Sequence, residues 1–502
     1  MKLLDRVARY LGYAPARMRR RSIDAGTVSR ITQSWSGASG SIDRDVHGKL
    51  ELARNRSRDL SYNNDYMRAF LRLCRTNILG PNGFSLQVRA DMPDGLPDKD
   101  GNDAVEASFW RWSRRGTCEL SRKLSFVQSC MQIINAAARD GEALVRKVHT
   151  GNDWRFALQL LDIERLDERK NEQLTDGRLI KMGVELLPTG EPIAYHLRKQ
   201  HPNDLYPYSY RGGELERVPA SEIYHVGMFE RPEQTRCLPW ALSAMIRLEN
   251  IGGYEEAAVI ASRYGAAKMA YWKPGEGTDP EGMSDAKGDD GQLFTDFEPG
   301  EIRIAPNGAE LVPIDWKYPH EQYDMFVTAC LRGIASGLGV TYSSLSSDLT
   351  KTSFSSGRTG VLDERDAWMT LQGWFIESFL EPFYADWLRM ALMTGQVTTP
   401  RGGVIGPDKF NKFNLPQWRG RRWSWVDPEK DVNAAILAID NGLASRRQIA
   451  AERGLDLEEV WTDLAMETKL AAKMGLTFGT KPKGNGDGKG KGKQDPEAAE
   501  GG

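Results

Sequence analysis

Residues 337–360, GLGVTYSSLSSDLTKTSFSSGRTG, form a polar stretch that is rich in hydroxyl residues. Eleven of these 24 residues are Ser or Thr, and the stretch carries a single lysine, Lys351, and a single arginine, Arg358. The sequences on both sides have large apolar residues at helical spacing. The chain therefore places a long, polar, weakly charged segment between two helices that are predicted to be well packed.

Three long helices are predicted around this stretch. The first begins at Pro239 and continues over residues 240–267, about 40 Å at ~1.5 Å per residue. The second begins at Pro319, and its face of small residues suits a close helix contact; these residues are Ala329, Gly333, Ser336 and Gly337. The third covers 361–392 with an aromatic stripe typical of a core, and Pro382 is expected to kink it near Ser378.

The first two helices enclose residues 270–316, where a Gly/Asp-rich loop is flanked by the strand-like sequences QLFTDF, EIRIA and AELVPID. This order predicts a helical hairpin with a small β-rich lobe at its tip. Before it, the pattern predicts a helix from Asp59 to Ile78 and then a mixed region, 105–230, with antiparallel strands. Residues 427–477 read as three capped helices, and 478–502 are predicted to be disordered. The predicted fold class is α+β, mostly α.

Composition restricts the class of protein. The chain has 502 residues, 40% of them hydrophobic and 27% charged, which is typical of a soluble protein with several structural units. A net charge of −2 gives no global attraction to nucleic acid or to a membrane. The five cysteines are scattered and form no CxxC, so we expect reduced thiols rather than a zinc site. Without a secretory signal or a long apolar run, the chain is expected to be soluble and intracellular when made.

The first 45 residues form a basic arm. Five apolar residues have helical spacing near its start, and four arginines follow; the apolar set is Leu3, Leu4, Val7, Tyr10 and Leu11, and the arginines are Arg17, Arg19, Arg20 and Arg21. This pattern fits contact with anionic lipid or nucleic acid. It also fits an arm that docks on a neighbouring subunit, which we favour because terminal arms are commonly ordered only by partners.

Catalytic motifs are absent from the sequence. It contains no GxxxxGK[ST], GxSxG, HExxH or GxGxxG. His196 and His201 are the only histidines near each other, and they make a weak metal pair. The carboxylates Asp363, Glu364 and Asp366 are explained by the helix macrodipole at the start of the third helix. We therefore predict no catalytic residues, no metal and no cofactor, and a structural or conduit role rather than an enzyme.

Four segments in this order and spacing resemble the portal proteins of tailed bacteriophages, in the lambda-type family. They are RSRDLSYNNDYMRAFLRLCRTNILGPNGF (56–84), VPASEIYHVGMFERPEQTRCLPWALSAM (218–245), the opening stretch continued to residue 368, and VDPEKDVNAAILAIDNGLASRRQIAAERGLD (426–456). The resemblance covers residues 45 to 475. RPEQTRCLPW departs from the family pattern, in which small residues are commoner after the arginine, so it bears on local packing.

The resemblance implies a portal fold. The implied units are an N-terminal arm (1–45), a wing (46–230), a first stem helix (231–269), a clip (270–316), a second stem helix (317–340), a tunnel loop (341–360), a long wing helix with a return segment (361–426), a helical crown (427–477) and a disordered tail (478–502).

It also implies a function. Such proteins form a ring, a homododecamer in the assembled head, at one capsid vertex, and double-stranded DNA is packaged and ejected through its channel without sequence specificity. The implied partners are the terminase large subunit, the major capsid and scaffold proteins, and head-completion or connector proteins. The implied location is the virion, after assembly in the host cytoplasm.

The opening stretch occupies the position of the tunnel loop. Hydroxyl groups bind phosphate and water without sequence preference, whereas many lysines around a ring would clamp the duplex. The residues expected to face DNA are Lys351, Ser353, Ser355, Ser356 and Arg358. The residues expected to contact terminase or adaptor proteins, by position in the clip, are Asp289, Asp290 and Glu298.

Three alternatives remain at this stage. The stretch also fits a solvated connector or the lining of a subunit contact. The chain also fits a DNA-processing enzyme, such as a nuclease, whose carboxylates are not grouped in sequence. A scaffold at a membrane surface, bound through the basic arm, is the third.

Overall fold

The structure is a computed structural model, and it describes residues 39–204, 214–266, 270–273, 310–313, 322–350, 354–423, 428–453, 455 and 457–476. More of the described residues lie in helices than in strands, which confirms the predicted α+β class with mostly α structure. Among the described residues, no helix combines the length and apolar character that a bilayer crossing requires.

The N-terminal half begins with five helices. They are α1 (Ile42–Val46), α2 (Leu50–Asn63), α3 (Asp65–Cys74, continued by a π-helical turn over Arg75–Leu79), α4 (Lys99–Trp112) and α5 (Phe126–Asp140). The prediction of one helix from Asp59 to Ile78 is wrong, because Asn64 separates α2 from α3. Its side-chain oxygen accepts from Met67 N at 3.0 Å, and its Nδ2 donates to Leu248 O at 3.0 Å. A helix start signal and a distant contact thus override the continuous apolar stripe.

The strands are short and antiparallel, as predicted. They are β1 (Ser85–Val88), β2 (Glu142–Val148), β3 (Ala157–Leu161), β4 (Glu172–Gln173), β5 (Leu179–Lys181), β6 (Val184–Leu186), β7 (Pro192–Arg198), β8 (Leu215–Pro219), β9 (Ile223–Gly227), β10 (Ala270–Lys273), β11 (Glu310–Pro313) and β12 (Pro416–Arg419). The sheets have the orders β3-β2-β9, β4-β5-β6-β7-β8, β1-β12 and β10-β11. The pairing of β1 with β12, which joins two ends of the chain, was not predicted, because four-residue strands carry too little alternation to detect.

Two helices form the predicted hairpin, α6 (Met245–Ala266) and α7 (Tyr323–Leu338). They lie antiparallel: Ser243 Oγ donates to Gly337 O at 3.3 Å, and at the other end the Tyr254 ring lies 5.7 Å from that of Tyr323. The predicted close contact is found at Gly337, where an added Cβ would lie 3.3 Å from Ser243 Oγ and 3.7 Å from Ala244 Cβ.

The bounds of the hairpin differ from prediction at the start of each helix. The second helix begins at Tyr323, after the N-cap residue Gln322, rather than at Pro319. The first helix begins at Met245, not Pro239, because residues 240–244 form turns in which Ala241 O accepts from Ala244 N and Met245 N. It is therefore about 33 Å long at ~1.5 Å per residue. The strands β10 and β11 pair at the base of the predicted β-rich lobe. QLFTDF, EIRIA and Pro319 lie outside the described residues.

The hydroxyl-rich stretch leads through a short helix, α8 (Tyr342–Ser346), to the longest helical segment. This segment runs through α9 (Phe354–Phe375), a π-helical turn (Ile376–Leu380) and α10 (Glu381–Met393). It begins at Phe354 rather than Val361, so the predicted start was wrong. The π-helical turn contains Ser378, the residue at which Pro382 was expected to disturb the helix; a proline supplies no N–H to the carbonyl four residues earlier.

The aromatic stripe of this segment forms the core, as predicted. Phe379 and Phe383 are fully buried, and the Phe383 ring stacks on Phe126 of α5 at 4.7 Å. Trp387 meets Phe109 of α4 edge-on at 5.2 Å. The long helix is thus held against α4 and α5 by large apolar surfaces and by favourable ring geometry.

The C-terminal part contains a short helix, α11 (Phe410–Phe413), and the three predicted helices, α12 (Pro428–Asp440), α13 (Arg446–Glu452) and α14 (Leu457–Met474). The glycines predicted to stop α12 and α14, Gly442 and Gly475, have φ of +70° and +71°. Ser445 caps α13 by accepting from Gln448 N at 3.0 Å. These signals were readable in the sequence because each acts within one turn.

A buried carboxylate ties the β-sheet β3-β2-β9 to the chain that enters the hairpin. Glu142, which has no solvent exposure, accepts from Arg236 Nε at 2.7 Å and from Cys237 N at 3.1 Å, and it lies 2.8 Å from His225 Nε2. Burial alone raises the pKa of Glu142, but the charges of Arg236 and His225 outweigh that effect and hold the pKa well below its usual range.

We expect Glu142→Gln to lower the free energy of unfolding by about 3–5 kcal/mol at neutral pH, because Arg236 would keep a fully buried charge without its counterion. The matched control is Glu172→Gln, which removes an exposed pair with Lys170 and should cost about 0–1 kcal/mol. Denaturant unfolding at neutral pH measures both. Equal losses for the two variants would contradict the structural role of Glu142.

The pH dependence follows from the depressed pKa of Glu142 in the folded chain. Because the folded pKa is depressed, Glu142 contributes its full stabilisation above its unfolded pKa, about 4.5, and this stabilisation is lost as the pH falls toward the folded pKa. Glutamine resembles the protonated acid, so the difference in free energy of unfolding between wild type and Glu142→Gln should become smaller below pH 4.5. A constant difference across that range would show that the charge of Glu142 is not what stabilises the fold.

Candidate functional site

The first half of the hydroxyl-rich stretch has a defined local structure. Gly339 ends α7 in the left-handed region, with φ of +69°, and Thr341 caps α8 by accepting from Ser344 N at 3.2 Å. Leu345 of α8 is buried, and Ser347 ends that helix with φ of +59°. Residues 341–360 were predicted to form one continuous loop. The described part of this stretch instead contains a capped helical turn, a short non-helical segment and the first turns of α9.

One carboxylate on α9 holds this structure in place. Glu364 Oε2 accepts from Thr341 N at 3.1 Å, from Thr341 Oγ1 at 2.7 Å and from Ser344 Oγ at 2.8 Å. Its other oxygen accepts from Trp368 Nε1 at 3.1 Å. Four donors converge on one buried side chain, so Glu364 fixes the start of the stretch to the long helix.

This contact corrects the prediction that Glu364 complements a helix dipole. Because α9 begins at Phe354, Glu364 lies almost three turns inside the helix, where the dipole has little effect. The useful sequence signal was the pair of hydroxyl residues Thr341 and Ser344, which match the Ser/Thr-x-x start of a capped helix. That signal predicts the turn but not the distant acceptor.

Several other hydroxyl groups of the stretch are engaged within it. Ser346 Oγ donates to Tyr342 O at 2.8 Å, and Tyr342 Oη donates to Asp348 at 3.0 Å. Thr350 Oγ1 also donates to Asp348, at 2.6 Å. Up to residue 350, the hydroxyls thus stabilise local structure, so the part of the stretch proposed to meet a ligand begins after that residue.

The predicted site residues stay predictions. Lys351 and Ser353 lie outside the described residues, and so do Asp289, Asp290 and Glu298. Ser355, Ser356 and Arg358 lie on the first turns of α9, but their side chains are outside the described part. The structure therefore assigns the second half of the stretch to a helix start rather than to a loop, and it says nothing of side-chain contacts there.

A second group of polar residues has the composition of a metal site. Asp162, Glu164 and His201 bring ligand atoms within 4.8 Å of one another. However, Arg58 Nη2 already lies 2.9 Å from Asp162, and Arg58 Nη1 lies 2.7 Å from Glu164. A guanidinium that forms ion pairs with both carboxylates makes this group an ion-pair cluster between α2 and the sheet region.

The second histidine of the predicted weak pair lies elsewhere. His196 Nε2 is 3.4 Å from Glu185, whose carboxylate also binds Arg217. Each of these two histidines thus has its own acidic neighbour. Their spacing in sequence, five residues apart, does not place them in one coordination sphere.

Comparison with known proteins decides the family. A sequence profile of the phage portal proteins of the lambda family matches residues 28–372. The chain belongs to the lambda family of phage portal proteins. Portal proteins are structural, and the family that the sequence resembles is thereby confirmed.

Individual relatives cover most of the chain. The probable portal protein of Halomonas phage phiHAP-1 is 32% identical over 461 residues, which are 91% of this chain and 88% of that protein. Portal protein B of Escherichia phage lambda is 22% identical over 476 residues, 88% of each chain. Among solved structures, a chain from the neck of an empty GTA particle aligns over 84% of this chain and 97% of its own, at 13% identity and a TM-score of 0.40.

The anchoring role of Glu364 can be tested by hydrogen exchange. In Glu364→Ala, the amide of Thr341 loses its acceptor, and we expect it to exchange at least about tenfold faster, which corresponds to ~1.4 kcal/mol. Asp363→Ala is the matched control, since Asp363 is the exposed neighbour on the same helix. If both variants leave the exchange rates over residues 341–345 unchanged, Glu364 does not hold the stretch.

Proposed function

We propose that this chain forms the ring at one capsid vertex through which double-stranded DNA is packaged and ejected. The subunits form a homododecamer, as the family resemblance implies. The observation that carries the proposal is the apolar exterior of the α6–α7 hairpin. Val259, Ile260 and Met325 are 51%, 43% and 74% exposed in the single chain.

This exterior supports an assembled state. On α6, Leu248, Ile251 and Ala258 face the rest of the chain and are buried, while Val259 and Ile260 face outward. A helix with apolar residues on all sides is normally buried all round. Large apolar residues left exposed on neighbouring helices are typical of surfaces that bind other proteins. Further copies of the hairpin, arranged around an axis, supply a matching surface.

The conduit role rests on the segment after α8. Between Asp348 and α9, which begins at Phe354, the sequence carries one cation, Lys351, among hydroxyl residues. A conduit for DNA must contact phosphates without retaining them, and each lysine–phosphate contact adds salt-dependent affinity. One lysine per subunit, with Arg358 nearby, aligns the duplex, while Ser353, Ser355 and Ser356 offer contacts without sequence preference.

The remaining partners follow from the family. The clip residues Asp289, Asp290 and Glu298 are proposed to contact the terminase large subunit during packaging and connector proteins afterwards. The wing is proposed to contact the major capsid and scaffold proteins. Assembly in the host cytoplasm and residence in the virion follow from these contacts.

Ring formation is tested by electron microscopy of the purified chain, which should show annular particles with a central hole. Val259→Asp should abolish the rings but keep the subunit folded, because the change buries a charge only in the assembly. Glu256→Gln, an exposed change on the same helix, is the control and should keep the rings. Rings that persist in Val259→Asp would place the subunit contact elsewhere.

The role of Lys351 is tested in assembled particles. Lys351→Ala should leave ring assembly intact and alter DNA packaging or retention, because it removes the lysine contributed by every subunit to the proposed channel lining. Lys123→Ala, an exposed lysine of the wing, serves as the matched control. Ordinary packaging and retention in Lys351→Ala particles, measured as DNA content per particle, would remove this role from Lys351.

A further inference from the structure

An apolar groove lies along the outer side of α2. Its volume is about 760 Å³, and it is bounded by α2 on one side and by the chain around the start of α6 on the other. Leu60 and Met245 are buried at its base, and Leu52, Leu242 and Ile246 are exposed along it. A continuous set of exposed apolar residues on a folded surface is typical of a binding surface.

The ends of the groove define its length. It follows α2 from Lys49 to Leu60, a span of about 17 Å at ~1.5 Å per residue. Its rim carries two carboxylates, Asp59 and Glu249, and two cations, Lys49 and Arg56. Because these charges balance, the rim favours neither an acidic nor a basic partner. The apolar base therefore determines which segment binds.

The N-terminal segment of the same chain has the matching pattern. Over residues 2–13, the apolar residues Leu3, Leu4, Val7, Tyr10 and Leu11 fall on one side of a helical projection, and Lys2, Arg6 and Arg9 fall on the other. Twelve helical residues extend about 18 Å, close to the length of the groove. We propose that residues 2–13 bind as an amphipathic helix in this groove of their own subunit.

The described chain begins at residue 39, only ten residues before Lys49 at one end of the groove, so a short connection links the N-terminal segment to the groove. Residue 39 directly precedes α1, and Lys49, at one end of the groove, is the residue before α2. Gly40 is fixed to the folded chain, because its carbonyl accepts from Arg231 Nη2 at 3.3 Å. The 25 residues between 13 and 39 have an average span of about 25–30 Å as a flexible chain, which exceeds the length of the groove. A tether of this length gives the segment a high effective concentration at the groove.

The proposal goes beyond the role of the chain in a portal ring. It assigns to the basic arm a defined docking site on its own subunit, not on nucleic acid, lipid or a neighbouring copy. It also leaves the arginine cluster 17–21 outside the groove, on the connecting segment. The hydrophobic side of the arm and the charged side thus have separate roles.

Disulfide trapping in the full-length protein tests this contact. The chain suits the experiment, since four of its five cysteines are buried and Cys330 is partly buried. In the double variant Leu4→Cys/Ile246→Cys, mild oxidation should form a disulfide within one chain, detected as a linked peptide from the monomer band of a non-reducing denaturing gel. We expect it to form about tenfold faster than in the two control pairs.

The controls separate docking from random collision. Arg6→Cys/Ile246→Cys places the thiol on the charged side of the predicted helix, and Leu4→Cys/Glu256→Cys places the second thiol at an exposed position of α6 outside the groove. Equal rates for all three pairs would overturn the proposal. Linkage of Leu4→Cys/Ile246→Cys only between chains would overturn it too, by showing that a neighbouring subunit supplies the occupant.

A second measurement does not depend on new cysteines. Deletion of residues 1–13 should leave the groove open, so amide exchange over residues 49–60 and 242–250 should increase relative to the full-length chain. Leu4→Asp/Val7→Asp should reproduce this increase, and Lys2→Ala/Arg9→Ala should not. If the deletion leaves exchange in both regions unchanged, the segment does not occupy the groove.

Discussion

The packing of one long helical segment against the N-terminal half is the contact on which the rest of the structure depends. At its C-terminal end, Phe379, Phe383 and Trp387 enter the core between α4 and α5. Near its N-terminal end, Glu364 binds the start of the hydroxyl-rich stretch. Because both contacts lie on one rigid element, the position of the stretch is set by the aromatic core more than 15 residues away. A change in that core would therefore displace the proposed channel segment.

A π-helical turn lies where the long segment enters the aromatic core. Pro382 interrupts regular hydrogen bonding at Ile376–Leu380, and the same turn contributes Phe379 to the core. A π-helical turn adds a residue per turn and so shifts which side chains face inward. The proline is thus tolerated inside a long helix because the irregular turn falls where the helix enters the densest part of the core.

Local signals in the sequence were sufficient for much of the fold. The helix stops at Gly442 and Gly475, the cap at Ser445 and the aromatic stripe all depend on residues within one or two turns of each other. The errors have a common cause. Asn64 divides a helix because Leu248 accepts its side-chain amide, and β1 exists because β12 pairs with it. Contacts of this kind, between residues far apart in sequence, are invisible to periodicity.

The same distinction applies to the candidate site. The sequence located the hydroxyl-rich stretch and its family, but it treated the hydroxyls as one uniform lining. In the structure, Thr341 and Ser344 donate hydrogen bonds to Glu364, and Thr350 donates one to Asp348. Hydroxyls that stabilise the turn have satisfied hydrogen bonds and offer little to a passing phosphate. The residues left for the proposed channel are those beyond Thr350, where one lysine precedes the start of α9.

The N-terminal half and the α6–α7 hairpin differ in their polar and apolar contacts. The N-terminal half satisfies its own buried charges: Glu142 is paired with Arg236, and Arg58 with Asp140, Asp162 and Glu164. The α6–α7 hairpin does the opposite, because it leaves Val259, Ile260 and Met325 in contact with solvent. Buried charges require partners with defined geometry, whereas exposed apolar surfaces are typical of contacts with other chains. The N-terminal half is thus satisfied within one chain, whereas the hairpin has the surface that the proposed assembly would cover.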